Sequence, residues 1–200
     1  TGFTFQVTNS AMVMIYNMQL QRLGGDIWVS AMTVISSLRE ILYMPIHGVT
    51  SGAQPIIGYN YGAHIYSRVR ECIRLLFLCC LIYLIALWAI IMAFPTVFIR
   101  IFNNEPALMP VASSAIRWFF CLLPAMALQM TGQNVFIALG RSKYGVSFSL
   151  LRKVVLVIPL AMFLPLAFNL GVAGVFLSEP ISELIGGTAC YVTMQLTVGR

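Results

Sequence analysis

The sequence "ECIRLLFLCCLIYLIALWAIIMAF", residues 71–94, decides the fold class of this chain, because it carries no charge after Arg74. A helix needs about 20 predominantly apolar residues to cross the hydrocarbon layer of a bilayer. Backbone groups in lipid must also satisfy their own hydrogen bonds, as they do in a helix. The same length criterion, applied outward from this run, predicts six transmembrane helices at residues 3–21, 27–49, 71–94, 111–139, 146–168 and 172–198.

The composition of the 200-residue chain also indicates a membrane protein. Hydrophobic residues make up 60% and charged residues 9%, and the mean hydropathy is +0.88. A soluble domain carries about 25% charged residues, so this chain has too few to cover a water-facing surface. We therefore expect an all-α membrane protein with the lipid bilayer as its surroundings. The net charge of +6 comes from scattered residues, which argues against a nucleic-acid partner, and the five cysteines show no metal-ligand spacing.

The basic residues predict the orientation in the membrane. Arg68, Arg70 and Arg74 follow the second predicted helix, and Arg141 and Lys143 follow the fourth, whereas the intervening connections hold fewer basic residues. Connections rich in arginine and lysine lie in the cytoplasm. We therefore expect a multi-pass protein of the plasma (inner) membrane with both ends of this segment cytoplasmic.

The stretch "SGAQPIIGYNYGAH", residues 51–64, is predicted to end the second helix. Pro55 cannot donate to the helical ladder, and Gly52 and Gly58 permit unusual backbone dihedrals. We interpret these three residues as a hinge, followed by an amphipathic cytoplasmic connection at about residues 58–74. Pro124 is predicted to kink the fourth helix and to act as a second hinge.

The order of residues in this stretch resembles one family. "GAQPIIGYNYGA" followed by "YSRVRE" resembles the sequence after the eighth helix of multidrug and toxic compound extrusion (MATE) transporters. "LGGD", "QNVFIALGRSKYGVSFSLLRKVVLVIPL" and "GVAGVFLSEPISE" resemble other segments of that family at its usual intervals. The resemblance covers essentially the whole chain.

The resemblance implies one lobe of a twelve-helix antiporter that exports organic cations and other xenobiotics by alternating access, without enzyme activity or a cofactor. This chain would be the C-terminal six-helix lobe, and the N-terminal lobe would be its missing partner. The coupling ion would be H⁺ or Na⁺. Sodium-coupled members carry carboxylates on the helices that match the first and fourth here, and those spans contain no Asp or Glu. We therefore expect the coupling site in the missing lobe, and the start at Thr1 without a methionine or signal peptide suggests part of a longer protein.

Polar residues inside the predicted spans are candidates for function, because they are costly in lipid. The first helix has a polar stripe, and the fourth combines amides with flexible methionines, which adapt to varied ligands. Two interpretations stay open: a substrate cavity, or interhelical hydrogen bonds and packing. The candidate cavity residues are Gln6, Asn9, Ser10, Asn17, Met126, Gln129, Met130, Gln133 and Asn134.

Charged residues in the spans are candidates for cation coupling. Two carboxylates at one site raise the pKa of one of them and allow it to bind a proton. The alternative is buried pairing: an arginine would neutralise the acid of the second helix, and Arg152 or Lys153 would neutralise the two acids of the sixth. The coupling candidates are Glu40, His47, Glu179 and Glu183.

Three other functions are weighed against the antiporter. A lipid-linked oligosaccharide flippase of the same superfamily would need clustered arginines for pyrophosphate, which the first and fourth helices lack. An intramembrane enzyme would need a motif such as GxSxG, HExxH or DDxxD, and none occurs. A membrane scaffold would not need the polar stripe of the first helix.

Overall fold

The computed structural model describes residues 2–167 and 169–198, with side chains from residue 7 onward, and this part of the chain is helical. Short turns separate most of the helices. Their bounds are α1 Gly2–Gly24, α2 Asp26–Gly62, α3 Tyr66–Ala93, α4 Pro95–Phe102, α5 Leu108–Phe119, a 3₁₀ turn Leu123–Ala125, α6 Met126–Ala138, α7 Ser142–Leu150, a π-helix Leu151–Val157, α8 Ile158–Ala167 and α9 Val172–Val198.

Several of these segments are long and apolar enough to cross a bilayer. Within the described residues, α2, α3 and the segment Ser142–Ala167 each meet the criterion alone. The pair α5 and α6, bent by 42° at a short break, makes a fourth span if it is counted as one. The predicted all-α membrane class is confirmed. Three of the six predicted spans meet this criterion with a single helix, and a fourth meets it when the bent pair is counted as one span.

The second helix runs further than the sequence predicts. α2 continues to Gly62 and contains Pro45 and Pro55 in its interior. The predicted end at residue 49 is therefore wrong, and so is the predicted connection at 58–74, because the chain leaves the helix only at residues 63–65. His64 has a φ of 60° at this turn.

Tertiary contacts and local hydrogen bonds explain why α2 continues past Pro55. Proline removes one backbone donor, a cost that contacts elsewhere can offset. Gln54 Nε2 donates to Asn134 Oδ1 of α6 over 2.7 Å, and Asn60 Nδ2 donates to the Ile56 carbonyl over 2.8 Å. A Cβ on Gly58 would lie 3.1 Å from the Ala138 carbonyl oxygen, so this glycine allows α2 to approach α6.

The bend between α5 and α6 coincides with Pro124. This proline lies in the 3₁₀ turn Leu123–Ala125, at the 42° break. A proline that cannot donate leaves carbonyls of the preceding turn without their helical partner. The Trp88 indole of α3 donates to the Cys121 carbonyl over 3.1 Å, so a neighbouring helix supplies a hydrogen bond at the bend.

Helix α9 lies at the centre of the lobe and packs against α1, α5, α6, α8 and the π-helix. Glycines permit the closest approaches. A Cβ on Gly132 would lie 2.9 Å from Cys190 Sγ, and one on Gly174 would lie 2.7 Å from the Pro165 nitrogen. The backbones of α6 and α8 therefore pack closely against α9.

The fifth predicted span contains a π-helix, Leu151–Val157. Such segments are rare and occur frequently at functional sites. Adjacent side chains diverge by about 100° in an α-helix, but the wider π turn changes this spacing. Arg152 is buried and Lys153 half-buried here, so two adjacent basic residues both face the interior of the lobe.

Candidate functional site

A group of buried charges lies at the centre of the described part of the lobe. Arg152 Nη1 donates to Glu179 Oε1 over 3.1 Å and lies 3.6 Å from Glu183 Oε1. Arg39 Nη1 lies 3.7 Å from the same oxygen of Glu179. On the other oxygen, Tyr16 donates its hydroxyl proton to Glu179 Oε2 over 2.9 Å. Glu179 is therefore contacted from α1, α2 and the π-helix at once.

The local sequence of α9 explains how its two acids can both contact Arg152. Glu179 and Glu183 are four residues apart and share one helix face. Gly186, one turn further, leaves room for Arg152, since a Cβ there would fall 2.9 Å from Arg152 Cγ. Between the two acids, the Ser182 hydroxyl accepts a hydrogen bond from Arg152 Nη1 over 3.2 Å. The face of α9 thus accommodates both the stem and the head of the arginine.

Arg39 of α2 is held from two sides. Its guanidinium carbon lies 5.9 Å from the centre of the Phe119 ring of α5, a cation–π distance. Its other contact is the Glu179 carboxylate. Glu40 does not form the buried pair that one interpretation expected: its side chain is 69% exposed and lies 4.0 Å from Arg39 Nη2.

A cavity of about 300 Å³ adjoins these charges. Pockets for small molecules in proteins begin at about this size. It lies between α1, α2, α6, the segment from α7 to the π-helix, and α9. Its walls are formed by Asn9, Arg39, Glu40, Tyr43, His47, Met126, Gln129, Met130, Gln133, Ser149, Arg152, Lys153, Glu179 and Glu183.

The structure brings most of the predicted site residues to this one cavity. Predicted substrate-cavity residues and predicted coupling residues share its walls, although nothing in the sequence indicated that the two sets lie at one site. The predicted residues among its lining are Asn9, Met126, Gln129, Met130, Gln133, Glu40, His47, Glu179 and Glu183.

Other predicted cavity residues lie elsewhere. Asn134 is bonded to Gln54, as described above, which matches the interhelical interpretation. Ser10 is exposed and Asn17 half-buried, and neither lines the cavity. The side chain of Gln6 falls outside the described residues.

The predicted hinge residues have different surroundings. Gly52 and Pro55 lie within the uninterrupted α2, so the predicted break of the helix there is wrong. Gly58 lies at the close approach to α6. Pro124 lies in the bend between α5 and α6.

Several residues of the cavity were missed or were expected only as pairing partners. Arg39 and Tyr43 precede the predicted residue His47 at intervals of four on α2, a spacing that places the three on one face and that the sequence contained. Ser149 carried no comparable signal, and Lys153 was expected only as an alternative partner of the α9 acids. The predicted pairing of the α9 acids with Arg152 is present.

The sequence model of the MatE family matches residues 3–163. The chain belongs to the MatE family. This match covers the helices that supply the amides, methionines and arginines of the cavity and ends within α8.

Individual relatives agree with this MatE assignment. The chain is 25% identical over 167 residues to a protein named FAD transporter from Shewanella oneidensis, and the match covers 84% of this chain and 36% of that protein. Solved structures of a multidrug resistance MATE family transporter of the MOP superfamily are also similar. The outward-facing conformation gives a TM-score of 0.90 at 17% identity, and the inward-facing conformation 0.86 at 16% identity.

The fold of this MatE chain is therefore that of a part of these transporters. Each of the two structures matches 97% of this chain, which corresponds to 44% and 45% of their own chains. The chain thus spans less than half the length of the relatives that it matches. It is a chain of a multi-pass membrane transporter family.

Proposed function

We propose that this chain forms one lobe of a cation-coupled multidrug efflux antiporter that works by alternating access. One observation carries the proposal: the cavity joins flexible and amide side chains to buried carboxylates that arginines hold in place. Such a site can bind a molecule and an ion in the same space. Binding of either ligand shifts the transporter between states only if its affinity for the two states differs.

The α6 side of the cavity is suited to varied substrates. Met126 and Met130 are unbranched thioethers that repack around different shapes. The side-chain oxygen of Gln129 has no hydrogen-bond partner among the described residues, and the amides of Gln129 and Gln133 line the cavity with donors and acceptors. Together with the carboxylate of Glu183, these groups favour organic cations and other xenobiotics as substrates.

Among the coupling candidates, Glu183 is the best placed. Glu179 is engaged by Tyr16, Arg39 and Arg152, whereas among the described residues Glu183 has a single ion-pair contact, at 3.6 Å from Arg152. A carboxylate held by one long contact can exchange it for H⁺ or Na⁺. The principal coupling site stays assigned to the N-terminal lobe, because α1 and α6 carry no acidic residue within their apolar spans.

The partner of this chain is an N-terminal lobe of six helices that closes the cavity from the other side. The coverage of 36% to 45% of the matched relatives supports this, since it leaves more than half of their length for a second lobe. We place the chain in the inner membrane, with both ends of the segment in the cytoplasm. No cofactor and no enzyme activity are assigned to it.

Efflux of ethidium from cells tests the proposal. We expect the chain to need an N-terminal six-helix lobe for efflux, and equal efflux without that lobe would contradict the proposal. With the full-length protein, Glu183→Gln should lower efflux strongly. Glu105→Gln, at an exposed position outside the cavity, should leave efflux unchanged.

A second candidate substrate class is anionic. The relative from Shewanella oneidensis is named FAD transporter, and three basic side chains line the cavity here. Export of FAD, measured as flavin fluorescence outside the cells, separates this candidate from export of ethidium. The flippase alternative finds less support, because Arg39 and Arg152 are paired with carboxylates. A scaffold would need neither the cavity nor its charges.

A further inference from the structure

Lys153 is a cation without a carboxylate partner. Its Nζ donates to Asn9 Oδ1 of α1 over 3.0 Å. Among the described residues, no carboxylate lies within salt-bridge distance of it. A lysine ammonium has three donors, so two remain after the bond to the neutral amide. The side chain is half-buried and lines the cavity.

The neighbouring charges are already neutralised. Arg152 is shared between Glu179 and Glu183, and Arg39 also contacts Glu179. Of the three basic side chains on the cavity wall, Lys153 is therefore the one whose charge lacks a direct counter-charge in the described part of the chain. A partly desolvated cation attracts an anion more strongly than one in water.

Gln129 supplies a second, independent indication of a ligand. This glutamine of α6 is 5% exposed, and its Oε1 is buried without a hydrogen-bond partner. Buried polar atoms are almost always hydrogen-bonded, and an unpaired one is costly. Since Gln129 and Lys153 line the same cavity, a molecule there that carries both an anionic group and a hydrogen-bond donor would satisfy both.

We propose that the cavity binds an organic molecule through an anionic group, a carboxylate or a phosphate, that contacts Lys153 Nζ, while Gln129 Oε1 accepts a hydrogen bond from a donor group of the same molecule. The inference rests on the second, anionic candidate of the proposed function, because it assigns the cavity to a transported molecule that carries negative charge. It makes Lys153 a specificity-determining residue that selects for negative charge. Asn9 holds the ammonium in place, and the wide π turn directs it inward.

Binding of a matched set of naphthalenes tests the proposal. The probes are neutral 6-hydroxy-2-naphthamide, 6-hydroxy-2-naphthoate and 6-hydroxy-2-naphthyl phosphate, which share one ring system and one hydroxyl donor and differ in the group at carbon 2. Calorimetric titration of the purified full-length protein gives the three affinities. We expect one or both anionic probes to bind more tightly than the neutral compound, and the difference between them tells phosphate from carboxylate.

Three variants assign the preference to Lys153. Lys153→Gln should weaken binding of the preferred anionic probe by about tenfold to a hundredfold, as the loss of a charged hydrogen bond does, and should leave the neutral probe unchanged. Lys153→Arg keeps the charge and should retain most of the preference. Lys143→Gln, the same change at an exposed lysine outside the cavity, should have no effect.

Three results would overturn the proposal. The first is a wild-type protein that binds neither anionic probe better than the neutral one. The second is a Lys153→Gln protein that keeps the preference, and the third is a Lys153→Gln protein that loses affinity for all three probes equally, which would mean that Lys153 has a purely structural role. Failure of the proposed function is seen separately, because full-length protein without ethidium or flavin efflux can still bind the probes according to charge.

Discussion

Gly186 of α9 lies directly against the aliphatic stem of Arg152, with a Cβ at this glycine placed only 2.9 Å from Arg152 Cγ and 3.1 Å from its Cβ and Cδ. The guanidinium at the other end of that stem bonds to Glu179 and contacts Glu183. The absence of a side chain at one position of α9 thus permits the ion pairs that begin one turn earlier on the same helix.

We expect Gly186→Ala to displace Arg152 and to destabilise the protein. Forcing a methyl group into a filled interior costs about 1–3 kcal/mol, and the displaced arginine would also lose its short contact with Glu179. Gly187→Ala is the matched control, since a Cβ there lies at an ordinary 3.4 Å from its nearest neighbours. Thermal unfolding of the detergent-solubilised protein measures the difference. Equal midpoints for the two variants would contradict the packing described here.

We expect Arg152→Met to destabilise the protein by about 3–5 kcal/mol, because it leaves the buried carboxylate of Glu183 without a counter-charge and leaves Glu179 with Arg39 alone. Adding Glu179→Gln to this variant should recover part of the loss, since it removes the excess of buried carboxylates over arginines. Denaturant unfolding of the two single variants and the double variant measures the coupling. Arg117→Met, at an exposed position, should stay within about 0.5 kcal/mol of the wild type. Simple additivity of the two buried changes would argue against the ion pair.

Tyr16→Phe removes the hydroxyl that donates to Glu179 Oε2. We expect a loss of about 1–3 kcal/mol, because a buried carboxylate oxygen loses a partner while the ring keeps its packing. The same change at Tyr59, which is 78% exposed, should be nearly neutral. Unfolding midpoints of both variants test this, and a neutral Tyr16→Phe would mean that water replaces the hydroxyl.

Spin labels along the end of α2 should reveal helical periodicity past Pro55. Labels replacing Ile57 and Asn60, which are 1% and 9% exposed, should be immobile. Labels at Ile56 and Tyr59, which are 54% and 78% exposed, should be mobile. The measurement is electron paramagnetic resonance on single-cysteine variants in which the five native cysteines have been replaced. Uniform mobility over residues 56–60 would favour the turn expected from the sequence.

The parts of the fold that depend on hydropathy could be predicted from the sequence. Long uncharged runs must lie in lipid, and this gave the all-α class and the ranges of most helices. The amides and methionines of α6 and the acids of α9 were also found, because a polar side chain in an apolar run is conspicuous. Pairing of those acids with Arg152 or Lys153 was one of two interpretations, and the structure pairs them with Arg152.

Features that depend on tertiary contacts could not be predicted. Glycine and proline are strong local breakers, so residues 51–62 indicated a turn, but hydrogen bonds and close packing against α6 keep them helical. The π-helix at Leu151–Val157 leaves no trace in the apolar pattern, so the sequence could not show that Arg152 and Lys153 both face the interior. One interpretation expected Glu40 to form a buried ion pair, but its side chain is exposed. The neighbouring Arg39 instead forms an ion pair with the buried Glu179.

The carboxylate of Glu179 has a consequence for how the lobe moves. Glu179 contacts α1, α2 and the π-helix, so one acid ties three separate segments to the central helix α9. Sliding α1 or α2 past α9 would therefore leave a buried carboxylate without one of its partners. This energetic cost disfavours sliding of helices past one another within the lobe. Rocking of the lobe in the proposed transport cycle should carry this bundle along as a rigid body, with deformation confined to its periphery.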